Sequence, residues 1–342
     1  MKDYVNWAIL APGRIANSMA QAMAEVAKTD SRVRLYAVGS RNLERSQDFA
    51  RKWGFKKVYG SYEELLNDKD VDAVYVANPH AFHFESVMKC FEKGKHVVCE
   101  KPAGCNLTQL KIMVEKAKAS GLFFMEALWT AFNPCVNKIH QKIEEGAIGQ
   151  VKHIDSRFSF RIPFDPTNRL WDPIQAGGAL LDLGIYPLYF SMLMSNFSPI
   201  VQYSSLAKFE NEVDSWNSGN LLFENEITAS FQSSFDVPYN QNFHEGVIYG
   251  TKGYIKCNDF FMCQKAQVYN YKETWGNEVN LIEEIDLPFL VNGYEYEVLE
   301  ATDCILKGEG ETKKHPLKIS IELCAFMDRL RNDWGFKYPF EL

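Results

Sequence analysis

At 342 residues the chain is long enough for about two domains. Its 46% apolar and 24% charged content is that of an ordinary globular protein and excludes a disordered chain. With 37 Lys and Arg against 44 Asp and Glu, the net charge is -7 and no long basic run occurs, which argues against a nucleic-acid or polyanion binder.

The first residues, MKDYVNWAIL, pass almost directly into a strand-like run and lack the basic-then-apolar pattern of a signal peptide. Val5–Leu10 reads as a strand and Ile15–Lys28 as a helix, with Ile15, Met19, Met23 and Val26 on one face. Leu35–Gly39 (strand) and Leu43–Trp53 (helix) follow, and Ser61 with Glu64 forms a capping box for a short helix. Val71–Ala77 is a strand, Phe84–Lys93 a helix and His96–Cys99 a strand. Thr108 is the expected N-cap of a helix closed by Gly121, and Leu122–Leu128 is one more strand. This alternation predicts a doubly wound parallel sheet, an α/β Rossmann domain over residues 1–125.

The rhythm changes near Glu126. A helix from Pro134 to Glu145, a strand over Val151–Arg161 and a helix over Ala179–Met194 are expected. Strand-length runs then follow at Gly219–Phe223, Ile227–Phe235, Gly246–Tyr249, Tyr254–Cys257 and Phe261–Tyr271. Helices over Tyr294–Lys307 and Leu317–Asn332 close the chain. Residues 126–342 thus read as an α+β domain with a large, mostly antiparallel open sheet, suited to substrate binding and dimerisation. The most apolar long stretch, Leu183–Val201, holds prolines, an asparagine, two tyrosines and several serines, so a buried helix plus loop is expected, not a membrane span. None of the eight cysteines forms a C-x-x-C pair, which points to reduced, buried thiols in a cytoplasmic protein and to no metal site.

Five motifs carry candidate chemistry. Ala11-Pro12-Gly13-Arg14-Ile15-Ala16 stands between the first strand and first helix, where a G-x-G-x-x-G/A turn cradles a pyrophosphate at a helix N-terminus. Ala11 replaces the first glycine, and a plain strand-to-helix turn is the competing reading. The second strand ends in Ser40 and Arg41, where NAD readers carry an acid; with Arg14 and Arg45 these residues suit the 2′-phosphate of NADP(H), with NAD(H) as the alternative. Asn78-Pro79-His80 with His83 ends the fourth strand, on the edge where ligands collect, though a turn and N-cap explain it equally well. Glu100-Lys101-Pro102 ends the next strand, and the Lys101 cation there can hold a substrate hydroxyl; an exposed lysine is the bland alternative. In Gly177-Gly178-Ala179-Leu180-Leu181-Asp182-Leu183-Gly184-Ile185-Tyr186, helical spacing puts Asp182 and Tyr186 on one face. The glycines leave room for close backbone approach.

Taken in order, APGRIA, VGSR, NPHAFH, GKHVVCEKP, EALWT and GGALLDLGIYP resemble the Gfo/Idh/MocA oxidoreductases over nearly the full length. With MDRLRNDWGFKYPFE near the end, the chain is most similar to the branch holding dimeric dihydrodiol dehydrogenase and NADP-linked sugar dehydrogenases. The resemblance implies a Rossmann domain, a nicotinamide at the sheet's carboxyl edge, and a second domain whose open sheet pairs in dimers. It places Lys101, Asp182 and Tyr186 on catalytic positions, Asn78, His83 and Glu100 beside the cofactor, and Trp129 near substrate. Relatives near that branch often read W-T-R-F where this chain has Ala131; if that arginine contacts substrate in them, its loss here implies a different substrate choice.

The function expected is therefore an NADP(H)-dependent oxidoreductase acting on a secondary alcohol or carbonyl of a sugar, polyol or cyclic trans-diol, as a homodimer or dimer of dimers. Tyr186 is the candidate general acid/base, tuned by the Lys101 cation and assisted by Asp182; alternatively Lys101 is the proton donor and Tyr186 positions substrate. A non-catalytic nucleotide-binding regulatory or scaffold protein on the same fold is the competing class.

Overall fold

The computed structural model describes residues 2–237, 244–272 and 278–341. The chain divides into two compact units. The first comprises Met1–Phe132 together with Leu290–Ala325, and the second Asn133–Phe289 together with Phe326–Leu342.

In the first unit, chain order gives β1 (Val5–Leu10), α1 (Arg14–Thr29), β2 (Val33–Gly39), α2 (Leu43–Trp53), β3 (Lys57–Tyr59), α3 (Tyr62–Asn67) and β4 (Ala73–Val76). These are followed by α4 (His83–Glu92), β5 (His96–Glu100), α5 (Leu107–Ser120), β6 (Phe124–Ala127) and the single turn α6 (Trp129–Phe132). The six strands form one parallel sheet in the order β3-β2-β1-β4-β5-β6. Every residue of β1 is buried, as expected of a strand covered on both faces. The buried face of α1 is Ala16, Met19, Ala20, Met23 and Val26; Ile15, expected on that face, is only half-buried. Asn42 and Ser61 cap α2 and α3 by accepting from the amides of Arg45 and Glu64, each at 3.1 Å. The cap of α5 is Asn106, which accepts from the Gln109 amide at 2.9 Å, and not Thr108. β3, only three residues long, was not foreseen.

The second unit opens with α7 (Pro134–Glu144) and β7 (Val151–Ser159). A π-helical turn over Leu180–Gly184 then leads into α8 (Ile185–Met194). Next come β8 (Ile200–Glu210), β9 (Val213–Phe223), β10 (Thr228–Ser234), β11 (Gly246–Gly250), β12 (Gly253–Cys257), β13 (Lys265–Tyr271) and β14 (Val279–Asp286). Their order is β14-β13-β12-β11-β7-β10-β9-β8, antiparallel throughout except for the parallel pair β7–β10. α8 is buried along its whole length and packs on β7 and β10, so the apolar stretch around it is a core helix.

α9 (Glu295–Lys307) and α10 (Leu317–Asp333) end the chain. α9 packs on α1, β1 and β2, and the Trp7 indole donates to the Thr302 hydroxyl at 3.1 Å. A single cut after residue 125 therefore does not describe the molecule. Residues 290–325 return to the first unit because the apolar side of α9, with Val298 and Ala301, is buried there. All eight cysteines are buried and none forms a disulfide.

Candidate active site

The β1–β4 neighbourhood is the switch point of the first sheet, where the chain winds away in opposite directions and a crevice opens at the strands' carboxyl ends. Ala11 takes up φ +69°, the left-handed conformation that favours glycine, so the backbone turn is kept despite the substitution. Gly13 has open space where a side chain would stand: the nearest atom to an added Cβ is the Ala11 carbonyl oxygen at 3.9 Å. No side chain caps the amides of α1 that follow. An uncapped helix N-terminus behind a bare glycine fits a pyrophosphate. Arg14 is exposed at the same turn.

At the end of β2, the Ser40 hydroxyl accepts from the Asn42 amide at 3.2 Å, so part of its hydrogen-bonding capacity holds the turn. Arg41 and Arg45 are exposed, and among the described residues no ion pair involves either guanidinium. Both lie near Tyr62, whose hydroxyl is pushed up by burial and pulled back by the two cations. Two uncommitted guanidiniums at the strand end are suited to a phosphate.

Asn78 at the end of β4 donates to the Ser86 hydroxyl at 2.8 Å, while its Oδ1 is buried without a hydrogen-bond partner. An orphaned acceptor on this edge is a feature that a ligand's N–H would satisfy. The His83 ring is fully buried, with Nδ1 2.8 Å from the Pro102 carbonyl and Nε2 2.8 Å from that of Asn78. Its nitrogens therefore tie the β4 loop to the turn after Lys101. Ala103 fixes the same turn by donating to Glu126 Oε1 at 2.8 Å. Glu100 is buried and accepts a hydrogen bond from the Tyr75 hydroxyl. Beside them the buried Glu297 carboxyl is pushed well above the usual range by burial and by Glu100 and Glu295. Trp129 is half-buried and stacks on Tyr294, with ring centroids 4.8 Å apart.

Asp182 and Tyr186 belong to the second unit, Lys101 to the first. The segment carrying Asp182 is the π-helical turn, not the first turn of an α-helix. Asp182 Oδ1 accepts from the Arg169 guanidinium at 3.1 Å. Tyr186 is 7% exposed and packs edge-on against Phe158 and Phe261, with centroids 5.4 and 5.8 Å away. Sequence reasoning missed Arg169: it sits in an irregular NRLWDP stretch, 13 residues before its partner, where no periodicity marks it. The glycines of this segment were expected to leave room for close backbone approach. Two of them admit the protein itself: a Cβ on Gly177 would fall 2.5 Å from the Leu170 carbonyl oxygen, and one on Gly178 2.3 Å from Asp214 Oδ1.

Residues 5–128 match the family described as "Oxidoreductase family, NAD-binding Rossmann fold", and residues 136–256 match the "GFO/IDH/MocA C-terminal domain". The chain belongs to the Gfo/Idh/MocA oxidoreductase family. Among relatives of this Gfo/Idh/MocA protein are the trans-1,2-dihydrobenzene-1,2-diol dehydrogenases of Mus musculus, 30% identical over 98% of both chains, and of Xenopus laevis, 32% identical over 97% of this chain and 99% of the relative. The fold is shared with a 3-ketoreductase from Actinomadura kijaniata solved with NADP and TDP-benzene (TM-score 0.83, 22% identity, 96% and 97% of the chains covered). It is shared equally with a levoglucosan dehydrogenase in complex with NADH and L-sorbose (TM-score 0.86, 18% identity, 98% and 97% covered). As a member of this family the protein is an NAD(P)-dependent oxidoreductase.

Proposed function

We propose that the protein is an NADP(H)-dependent dehydrogenase acting on a cyclic trans-diol or a sugar-like secondary alcohol. The observation that carries this reading is similarity over 98% of the chain to enzymes named for a trans-diol substrate. Preference for the 2′-phosphorylated cofactor is supported by the uncommitted Arg41 and Arg45 where an acid would repel that phosphate. When bound, the nicotinamide accepts or supplies a hydride at its C4.

The chain's own residues then bind, orient and move a proton. In carbonyl reduction the Lys101 ammonium holds the substrate oxygen and the Tyr186 hydroxyl gives that oxygen a proton as hydride reaches the carbon, leaving the phenolate; in alcohol oxidation the phenolate takes the proton back. Asp182, oriented by Arg169, orders the groups around that oxygen. The flanking rings Phe158 and Phe261 confine the Tyr186 phenol to one direction.

The deciding measurement is NADP+ reduction at 340 nm with trans-1,2-dihydrobenzene-1,2-diol and a panel of sugars and inositols. Turnover of a diol or sugar with NADP+ is expected; cofactor binding without turnover of any of them would overturn the reading. We further propose a homodimer formed through the second-unit sheet, whose edge strands expose Val201 and Leu206 on β8 and Leu281 and Ile282 on β14. A cytoplasmic location is supported by eight buried cysteines without a disulfide, and cell fractionation tests it.

A further inference from the structure

Backbone groups at 177–180, just before Asp182, are gripped by buried side chains from β9, β10 and the chain's end. The Gly177 carbonyl accepts from the Tyr338 hydroxyl at 2.7 Å. Gly178 has φ +116° and lies against the Asp214 carboxyl. The Leu180 amide donates to Asp214 Oδ2 at 2.7 Å, and the Asn217 amide group donates to the same oxygen at 2.8 Å. The Ser233 hydroxyl is 2.9 Å from Asn217 Oδ1 and 3.3 Å from the Ala179 carbonyl, and it would lie 2.9 Å from a Cβ on Gly184. Asp214, Asn217, Ser233 and Tyr338 are all 0% exposed.

A π-turn lacks the regular i to i−4 ladder that fixes side-chain directions in an α-helix, so its orientation must come from elsewhere. Here it comes from the side-chain circuit beneath it. A stretch needed only for packing would be served at lower cost by apolar side chains, because a buried acid with one unpartnered oxygen is expensive. We propose that Asp214, linked through Asn217 to Ser233, is a positioning residue that sets the direction of Asp182 and Tyr186 for proton transfer. The inference rests on the catalytic reading of those two residues.

Asp214→Ala removes the acceptor for the Leu180 amide. Asp214→Asn keeps it, because the asparagine amide oxygen can stand where Oδ2 stands and accept from both the Leu180 and the Asn217 N–H groups. At a temperature where each variant is folded, Asp214→Ala is expected to lower kcat for trans-1,2-dihydrobenzene-1,2-diol by about ten-fold or more. KM and the Kd for NADPH should stay within about two-fold, and Asp214→Asn should restore most of kcat. A packing role alone would lower Tm and leave kcat per folded molecule unchanged, which would overturn the proposal.

Hydrogen–deuterium exchange supplies a readout that needs no substrate. Amides 178–186 should exchange faster in Asp214→Ala while first-unit amides do not change, and unchanged protection there sinks the idea. Should Asp214→Ala fail to fold, Ser233→Ala carries the same exchange test. Tyr186→Phe separates the two readings. If it keeps wild-type kcat, the catalytic reading falls and this inference with it. If it is inactive while Asp214→Ala matches wild type in kcat and protection, this inference alone falls.

Discussion

Arg41 is the residue on which cofactor choice turns. Its exposed guanidinium forms no ion pair among the described residues and so is open to a phosphate, which a carboxylate at this strand end would repel. Arg41→Ala is therefore expected to weaken NADPH binding by about ten-fold, or about 1.4 kcal/mol, and to leave NADH unaffected, as fluorescence titration of both cofactors would show. Equal losses for the two would mean that Arg41 does not read the 2′-phosphate. Ala11 offers a second test at this scale. Its Cβ is held at φ +69°, a conformation costing a non-glycine residue roughly 1–2 kcal/mol, part of which glycine returns as entropy. Ala11→Gly should leave NADPH affinity intact and raise stability by up to about 1 kcal/mol, measured by urea unfolding.

At the scale of the element, the segment from Gly177 through α8 shows how strand side chains shape a helix start. At Gly178 any side chain meets both an unfavourable φ of +116° and an oxygen 2.3 Å from the new Cβ. Gly54, at φ +84°, has nothing within 4 Å. Gly178→Ala should cost about 2–4 kcal/mol, and Gly54→Ala only the conformational part, about 1 kcal/mol. Similar losses at the two sites would count against the close Asp214 contact. The same contact leaves a pH signature. Burial pushes the Asp214 carboxyl up to about 7, while hydrogen bonds from Asn217 and Leu180 and the Arg331 charge pull it partly back. Unfolded, the group ionises near 4. Between these values the folded chain holds a proton that the unfolded chain has released, so this stabilisation is complete below about pH 4 and is lost as pH rises through about 7. Wild-type Tm should thus fall relative to Asp214→Asn between pH 5 and 8, and a constant difference across that range would contradict a raised carboxyl.

At the scale of the whole molecule, the proposed dimer has a direct test in the exposed edge residues. Leu206 is 71% exposed and Val201 57% exposed on β8, a strand hydrogen-bonded to a neighbour on one side only. Multi-angle light scattering is expected to give twice the 39.2 kDa chain mass, and Leu206→Lys to shift the species toward that of a single chain. A single-chain mass at micromolar concentration would rule out the dimer.

The sequence by itself determined the alternation of β1, β2, β4, β5 and β6 with their helices, since these strands are short, largely buried apolar runs and α2 and α5 each carry an asparagine cap and a glycine stop. It also placed the Ser40-Arg41, Asn78 and Glu100-Lys101 motifs at or just beyond strand ends, the positions a parallel sheet presents to ligand. Asp182 and Tyr186 were visible as a motif, but the π-turn beneath them was not. Local spacing counts residues per turn and is blind to Asp214 and Ser233, which come from 30 or more positions later in the chain. For the same reason only tertiary structure paired Arg169 with Asp182, bound the His83 ring to two carbonyls, and returned α9 to the first unit. Those outcomes depend on which buried polar groups find partners across long sequence separations, a balance that no window of neighbouring residues contains.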